Sequence, residues 1–120
     1  MNPEVQTSEL AKVGVEVERR KHSRHRFIER LYIGRQDGMW YAAMTYEVSA
    51  GGLSAATTAD LEVGEVVKLT PVVEKRVDAI VRRKQGAMHG FEFLELPARI
   101  EDQIRKLCEG LPLFQTLNNN

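Results

Sequence analysis

In Trp40-Tyr41-Ala42-Ala43-Met44-Thr45-Tyr46-Glu47-Val48-Ser49-Ala50-Gly51-Gly52-Leu53-Ser54-Ala55-Ala56-Thr57, two strand-like runs meet at a pair of glycines. The runs are residues 40–49 and 51–57, and the glycines mark the break between them. In the first run Met44, Tyr46 and Val48 are the larger apolar positions, and Thr45, Glu47 and Ser49 alternate with them. Side chains of a strand point alternately to opposite faces, so Glu47 and Ser49 are expected on one outward face.

Outward from this stretch the same strand-and-turn grammar continues. Phe27 to Ile33 reads as a first strand, with Gln36-Asp37-Gly38 as a hairpin-type turn before Trp40. Downstream, Leu61-Glu62-Val63-Gly64 reads as a turn, Glu65–Val73 as a fourth strand and Arg76–Arg83 as a fifth. Lys84-Gln85-Gly86 turns the chain into a sixth strand, Met88–Leu96. Short strands at this spacing predict an all-β antiparallel barrel or sandwich. The period then changes. Ile100, Ile104, Leu107 and Leu111 fall on one helical face, Pro97 precedes them and Gly110 is placed to end the helix. Glu101 and Asp102 near its start and Arg105 and Lys106 near its end suit the helix dipole. Val13, Val15 and Val17 alternate with Gly14 and Glu16 in a weak strand-like pattern, but residues 1–18 are read as an N-terminal arm or tail, and residues 112–120 as a C-terminal tail.

Composition narrows the function classes. With 120 residues, 42% hydrophobic and 28% charged, the chain suits one soluble domain with a real core. No apolar run approaches the roughly 20 residues of a membrane span, and the start lacks a secretory signal pattern. Cys108 is alone, so no internal disulfide is available, and a reducing cytoplasm is the expected location. Net charge is zero, which argues against a general nucleic-acid binder. The positive charge is instead concentrated early, at Arg19, Arg20, Lys21, Arg24, Arg26 and Arg30, a cluster suited to a small anion.

Two islands carry chemistry. Arg19-Arg20-Lys21-His22-Ser23-Arg24 contains an Arg-x-x-x-Arg fork at Arg20 and Arg24. Guanidinium groups take phosphate oxygens bidentately, pair with guanine O6 and N7, and stack on base faces. Taken alone, this fork is a weak pattern, and a second copy at Arg26 and Arg30 falls inside the first strand. The other island is Glu47-Val48-Ser49-Ala50-Gly51-Gly52. A carboxylate accepts from the N–H groups of a base edge, and a serine hydroxyl donates to phosphate or a keto oxygen. Gly51 and Gly52 permit close approach of a ligand to the backbone, though a bulge or turn is the plainer reading of glycines here. His22 and His25 read as part of a basic arm rather than a metal site, and no catalytic grouping or phosphate loop of Walker type emerges.

Taken together and in order, the islands resemble the two-part signature of PilZ domains, bacterial receptors for cyclic di-GMP. The likeness extends over Glu18 to Gly110, roughly three quarters of the chain, and includes Val63–Leu69 and His89–Leu96. The resemblance implies a six-stranded antiparallel barrel with one C-terminal helix and a flexible N-terminal arm, occupying residues 19–111. Arg20 and Arg24 match the arm arginines that grip guanine and phosphate, and Ser49 and Gly52 match the strand-end motif, with Gly51 beside them. Arg19 matches a position associated with a stacked pair of cyclic di-GMP molecules. Glu47 departs from the usual Asp or Asn while keeping the acceptor chemistry.

The resemblance implies a non-enzymatic cytoplasmic receptor with no cofactor, whose ligand is cyclic di-GMP. Its arm closes over the ligand and changes the surface shown to an unidentified downstream protein. Two other readings stay open: a PilZ-like domain that acts through protein contacts without the nucleotide, and a small barrel binding single-stranded nucleic acid.

Overall fold

The computed structural model describes residues 22–114. Residues 1–18, expected as an arm, fall outside that range with Arg19 and Arg20, as do residues 115–120. Seven strands precede one helix: β1 (His25–Arg26), β2 (Arg30–Gly34), β3 (Trp40–Val48), β4 (Gly52–Thr57), β5 (Val66–Val72), β6 (Lys75–Gln85), β7 (Met88–Phe93) and α1 (Ala98–Glu109). Six of them close into an antiparallel barrel in the order β3-β2-β5-β6-β7-β4, with β4 pairing back to β3. The two-residue β1 extends the β3 edge beyond β2. The expected six-stranded barrel with a helix near the C-terminus is therefore the observed architecture.

The expected first strand, Phe27–Ile33, is broken in two. His25 and Arg26 pair with Val48 and Glu47, and regular pairing resumes only at Arg30 opposite Met44. The buried Thr45 hydroxyl patches the gap, lying 2.6 Å from the Phe27 carbonyl and accepting the Glu29 N–H at 2.7 Å. A side-chain hydroxyl can replace missing ladder bonds where the chain loops out.

The barrel interior is apolar. Leu31, Ile33, Leu53, Leu69, Val81 and Phe91 are among its buried side chains. Helix α1 covers this core with Ile100, Ile104 and Cys108. Leu107 and Leu111, expected on the same face, are only partly buried, because the stripe runs i, i+4, i+8 and places Cys108 at its end. Burial raises the Cys108 thiol above its ordinary pKa, so it stays protonated and serves as a small hydrophobe.

Turn chemistry follows the sequence at one hairpin and defies it at another. Gly38 has φ 92°, and the Arg35 N–H donates to the Met39 carbonyl at 2.9 Å, closing the Gln36-Asp37-Gly38 turn as expected. Between β5 and β6, Val73 (φ 43°) and Glu74 (φ 65°) form a two-residue turn with both residues left-handed. Glycine or asparagine normally fills such positions, and the strand expected through Val73 ends at Val72.

Gly52 is a packing requirement. A Cβ built there would overlap the Phe91 carbonyl oxygen and sit 3.2 Å from Glu92 Cα, both backbone atoms. At Gly51 the nearest atoms belong to the His22 ring, a movable side chain. Gly52→Ala should lower unfolding free energy in urea by roughly 1–3 kcal/mol, as overpacking against immobile backbone does. Gly51→Ala should change it far less, and equal losses would show that the close β4–β7 approach is not the constraint.

Candidate functional site

A cleft of about 660 Å³ lies on the outer face of β3, β4, β7 and β6. Its walls include His22, Arg24, Glu47, Ser49, Gly51, Gly52 and Ser54 on one side and Arg82, Arg83, Gly90 and Glu92 on the other. The expected site residues within the described range, Arg24, Glu47, Ser49, Gly51 and Gly52, thus meet in one place.

A bulge puts Glu47 there. Thr45 pairs with Ala55, but Glu47 pairs with Ser54, so Tyr46 is an extra residue in β3. Before the bulge, Ala43 and Thr45 face inward; in regular alternation Glu47 would follow them into the core. The inserted residue resets the phase, turning Glu47 into the cleft and Val48 inward. Met44 and Tyr46, expected as apolar positions opposite the polar face, are instead 43% and 40% exposed. Thr45, expected on the outward face with Glu47 and Ser49, is buried. The correction is one of phase: the smaller Ala43 and Thr45 suit the barrel interior.

Glu47 is 7% exposed. Its Oε2 accepts a hydrogen bond from Arg24 Nη1 at 3.1 Å, while its Oε1 is buried with no hydrogen-bond partner among the described residues. Ser54 Oγ, directly across the strand pair, is equally unpartnered. Buried acceptors without partners cost about 1–3 kcal/mol each, a cost that a polar guest donating to them removes.

Arg24 is held from three sides. Its guanidinium meets Glu47 and lies 5.7 Å from the ring centre of Phe114, which packs edge-on against Tyr46 at 5.2 Å. Its backbone carbonyl accepts from the Phe114 N–H at 2.9 Å, and Arg26 N–H donates to Pro112 at 2.9 Å. The chain after α1 therefore runs alongside β1 and anchors the base of the arginine segment. His25 Nδ1 lies 3.2 Å from the Leu111 carbonyl, whereas His22 rests on Gly51, so the two histidines diverge.

Ser49 works on the β3–β4 turn. Its N–H donates to the Gly52 carbonyl at 2.8 Å, and its hydroxyl accepts from Gly51 N–H at 3.2 Å. The hydroxyl also donates to the Gly52 carbonyl at 3.3 Å. Neither Gly51 nor Gly52 has positive φ. They matter through the space left by their missing side chains.

Sequence reasoning missed the far wall. Arg82 pairs with Glu92 at 2.6 Å, and the Arg83 side chain lies over Gly90, where a Cβ would come 3.3 Å from Arg83 Nε. A signal was present in Val77, Ala79, Val81 and Arg83, which share one alternating phase. An arginine in the phase of a core marks a bulge, and β6 has one between Val81 and Arg83.

Among the described residues, no helix is long and apolar enough to cross a membrane, and no group of three His, Cys, Asp or Glu side chains converges as a metal site.

Comparison with known proteins agrees with this architecture. The PilZ domain of CeSA from a cellulose-synthesizing bacterium superposes with a TM-score of 0.58 at 18% identity, covering 72% of this chain and 95% of that one. The PilZ domain of YcgR from Escherichia coli, solved with c-di-GMP, gives 0.62 at 17% identity over 78% and 91%. The Bacillus subtilis inhibitor of motility MotI/DgrA gives 0.58 at 22% identity over 76% of this chain and 49% of that one. At these low identities the superpositions show a shared fold and nothing more. No curated protein sequence matches the chain. The PilZ domain family model matches residues 18–110, and the chain belongs to that family.

Proposed function

We propose that the protein is a receptor module for cyclic di-GMP, acting by binding rather than catalysis. One observation carries this reading: the cleft gathers Arg24, Glu47, Ser49, Gly51 and Gly52 and leaves a Glu47 carboxylate oxygen buried with no hydrogen-bond partner among the described residues. The volume is that of a small-molecule site. A guanine edge offers N–H donors that suit Glu47, and guanine O6, N7 and phosphate oxygens suit guanidinium. The c-di-GMP in the YcgR structure supports the same ligand for this chain.

The ion pair of Arg24 and Glu47 prepares the site. Arg24 has five N–H donors and spends one on Glu47, leaving others for a phosphate or purine acceptor. Arg20 is two residues from His22, whose ring lies on Gly51 at the cleft rim. Extended backbone spans about 7 Å over two residues, so the chain length would allow Arg20, and Arg19 beside it, to reach a ligand in the cleft. In this reading they close over the ligand, with Arg19 allowing a second, stacked molecule. The ordered arm becomes the surface that a downstream cytoplasmic protein recognises.

Titration calorimetry of the whole chain with cyclic di-GMP tests the reading, and an absence of heat at high micromolar ligand would favour a domain working through protein contacts alone. Arg24→Ala should weaken binding about tenfold or more, the loss typical of a charge-assisted hydrogen bond. Arg35→Ala should leave affinity nearly unchanged, because Arg35 pairs with Glu65 at 2.7 Å outside the cleft; equal losses would indicate diffuse electrostatics. Glu47→Asp draws the carboxylate back by one methylene and should tighten binding severalfold if the longer side chain crowds the ligand; unchanged affinity would show that glutamate fits. Hydrogen exchange across residues 15–26 should slow on adding ligand, and unaltered exchange would refute the closing arm.

A further inference from the structure

Four residues on adjacent strands form one registered row across the cleft floor. Glu47 of β3 pairs with Ser54 of β4, Ser54 with Gly90 of β7, and Gly90 with Arg83 of β6. Strands lie about 4.8 Å apart, so the row sets Arg83 roughly 14 Å from Glu47 at the backbone. Both ends of the row follow bulges, between Thr45 and Glu47 and between Val81 and Arg83. Each bulge takes a charged residue that shares the phase of the core and turns it to the outer face. Bulges bend a strand and re-aim a side chain, and two at the same level of a barrel, framing one cleft, give the cleft a charged group at each end.

We propose that Arg83, with Ser54 beside the row's centre, is a second gripping position for the ligand and determines its affinity from the wall opposite Arg24. This rests on the cyclic di-GMP reading above. Arg82 is committed to Glu92 at 2.6 Å, whereas Arg83 has no ion-pair partner among the described residues. Gly90 leaves the floor between Ser54 and Arg83 without a side chain, and the guanidinium lies across it. The Ser54 hydroxyl is buried in the cleft wall with no hydrogen-bond partner among the described residues. The row thus offers an acceptor at Glu47, a hydroxyl in the middle and a planar donor fork at Arg83. A dinucleotide with a guanine edge at one end and paired acceptors at the other matches that sequence of groups. The paired acceptors are either phosphate oxygens or guanine O6 and N7, both of which a guanidinium takes bidentately.

The test is calorimetric titration of the full chain and its variants with cyclic di-GMP, with thermal melting of each variant alongside. Arg83→Ala should weaken binding about tenfold or more while melting with the parent, as loss of a charged hydrogen-bonding group at an exposed position does. Arg82→Ala should cost much less. Arg83→Lys restoring most of the affinity would identify a phosphate contact, since lysine supplies charge without the fork; failure to restore it would identify the guanine edge. Both outcomes support the assignment. Wild-type affinity in Arg83→Ala, with Arg24→Ala still impaired, would overturn it and leave the receptor reading intact. A parent chain that binds no cyclic di-GMP would overturn both.

Discussion

The inner face of a closed six-stranded barrel admits little but apolar side chains, and that constraint organises this protein. Every strand contributes alternate residues to an interior too small to solvate a charge. Glu47 and Arg83 each fall, by simple alternation, in the phase of their strand's core residues. β3 and β6 each insert an extra residue just before them, Tyr46 and Arg82, which takes both charges out of the core phase. Packing inside and polarity outside are thus two consequences of the same irregularities. Gly52 and Gly90 complete the arrangement, the first by letting β4 approach the β7 backbone, the second by clearing the floor beneath Arg83.

The arginine segment is joined to the barrel through more than its own chain direction. Arg24 bonds Glu47, faces Phe114 and shares backbone hydrogen bonds with the segment following α1. Tyr46, the residue inserted by the β3 bulge, supports Phe114 from beneath. The bulge that aims Glu47 therefore also supplies the ring that packs against Phe114, on which its partner Arg24 rests. Arg24 thus contacts both the cleft and the chain that leaves the helix.

Much of the fold was legible because its cues are local. Gly38 and Gly86 sit in the turns that the sequence predicts, and Ile100 and Ile104 declare the helical face. The Val73-Glu74 turn was hidden because neither residue is the glycine or asparagine that left-handed φ favours. The break at Phe27–Glu29 was hidden because Thr45, far along the chain, replaces the missing ladder bonds. Within the site, the nearness of Glu47, Ser49 and the glycines followed from their adjacency, whereas Arg83 and Ser54 became neighbours only through strand register.

What the chain carries in its order of residues is the strand-and-turn rhythm, the amphipathic helix, the arginine fork and the Glu-x-Ser-x-x-Gly turn. Local sterics and side-chain periodicity suffice for these. Tertiary structure alone decided which face Glu47 takes, that Met44 and Tyr46 lie outside, and that Arg83 shares a cleft with Arg24. Those outcomes depend on a one-residue shift in pairing, and a shift of one reverses every side chain beyond it. Only the mutual closure of six strands around an apolar interior selects where that shift must fall.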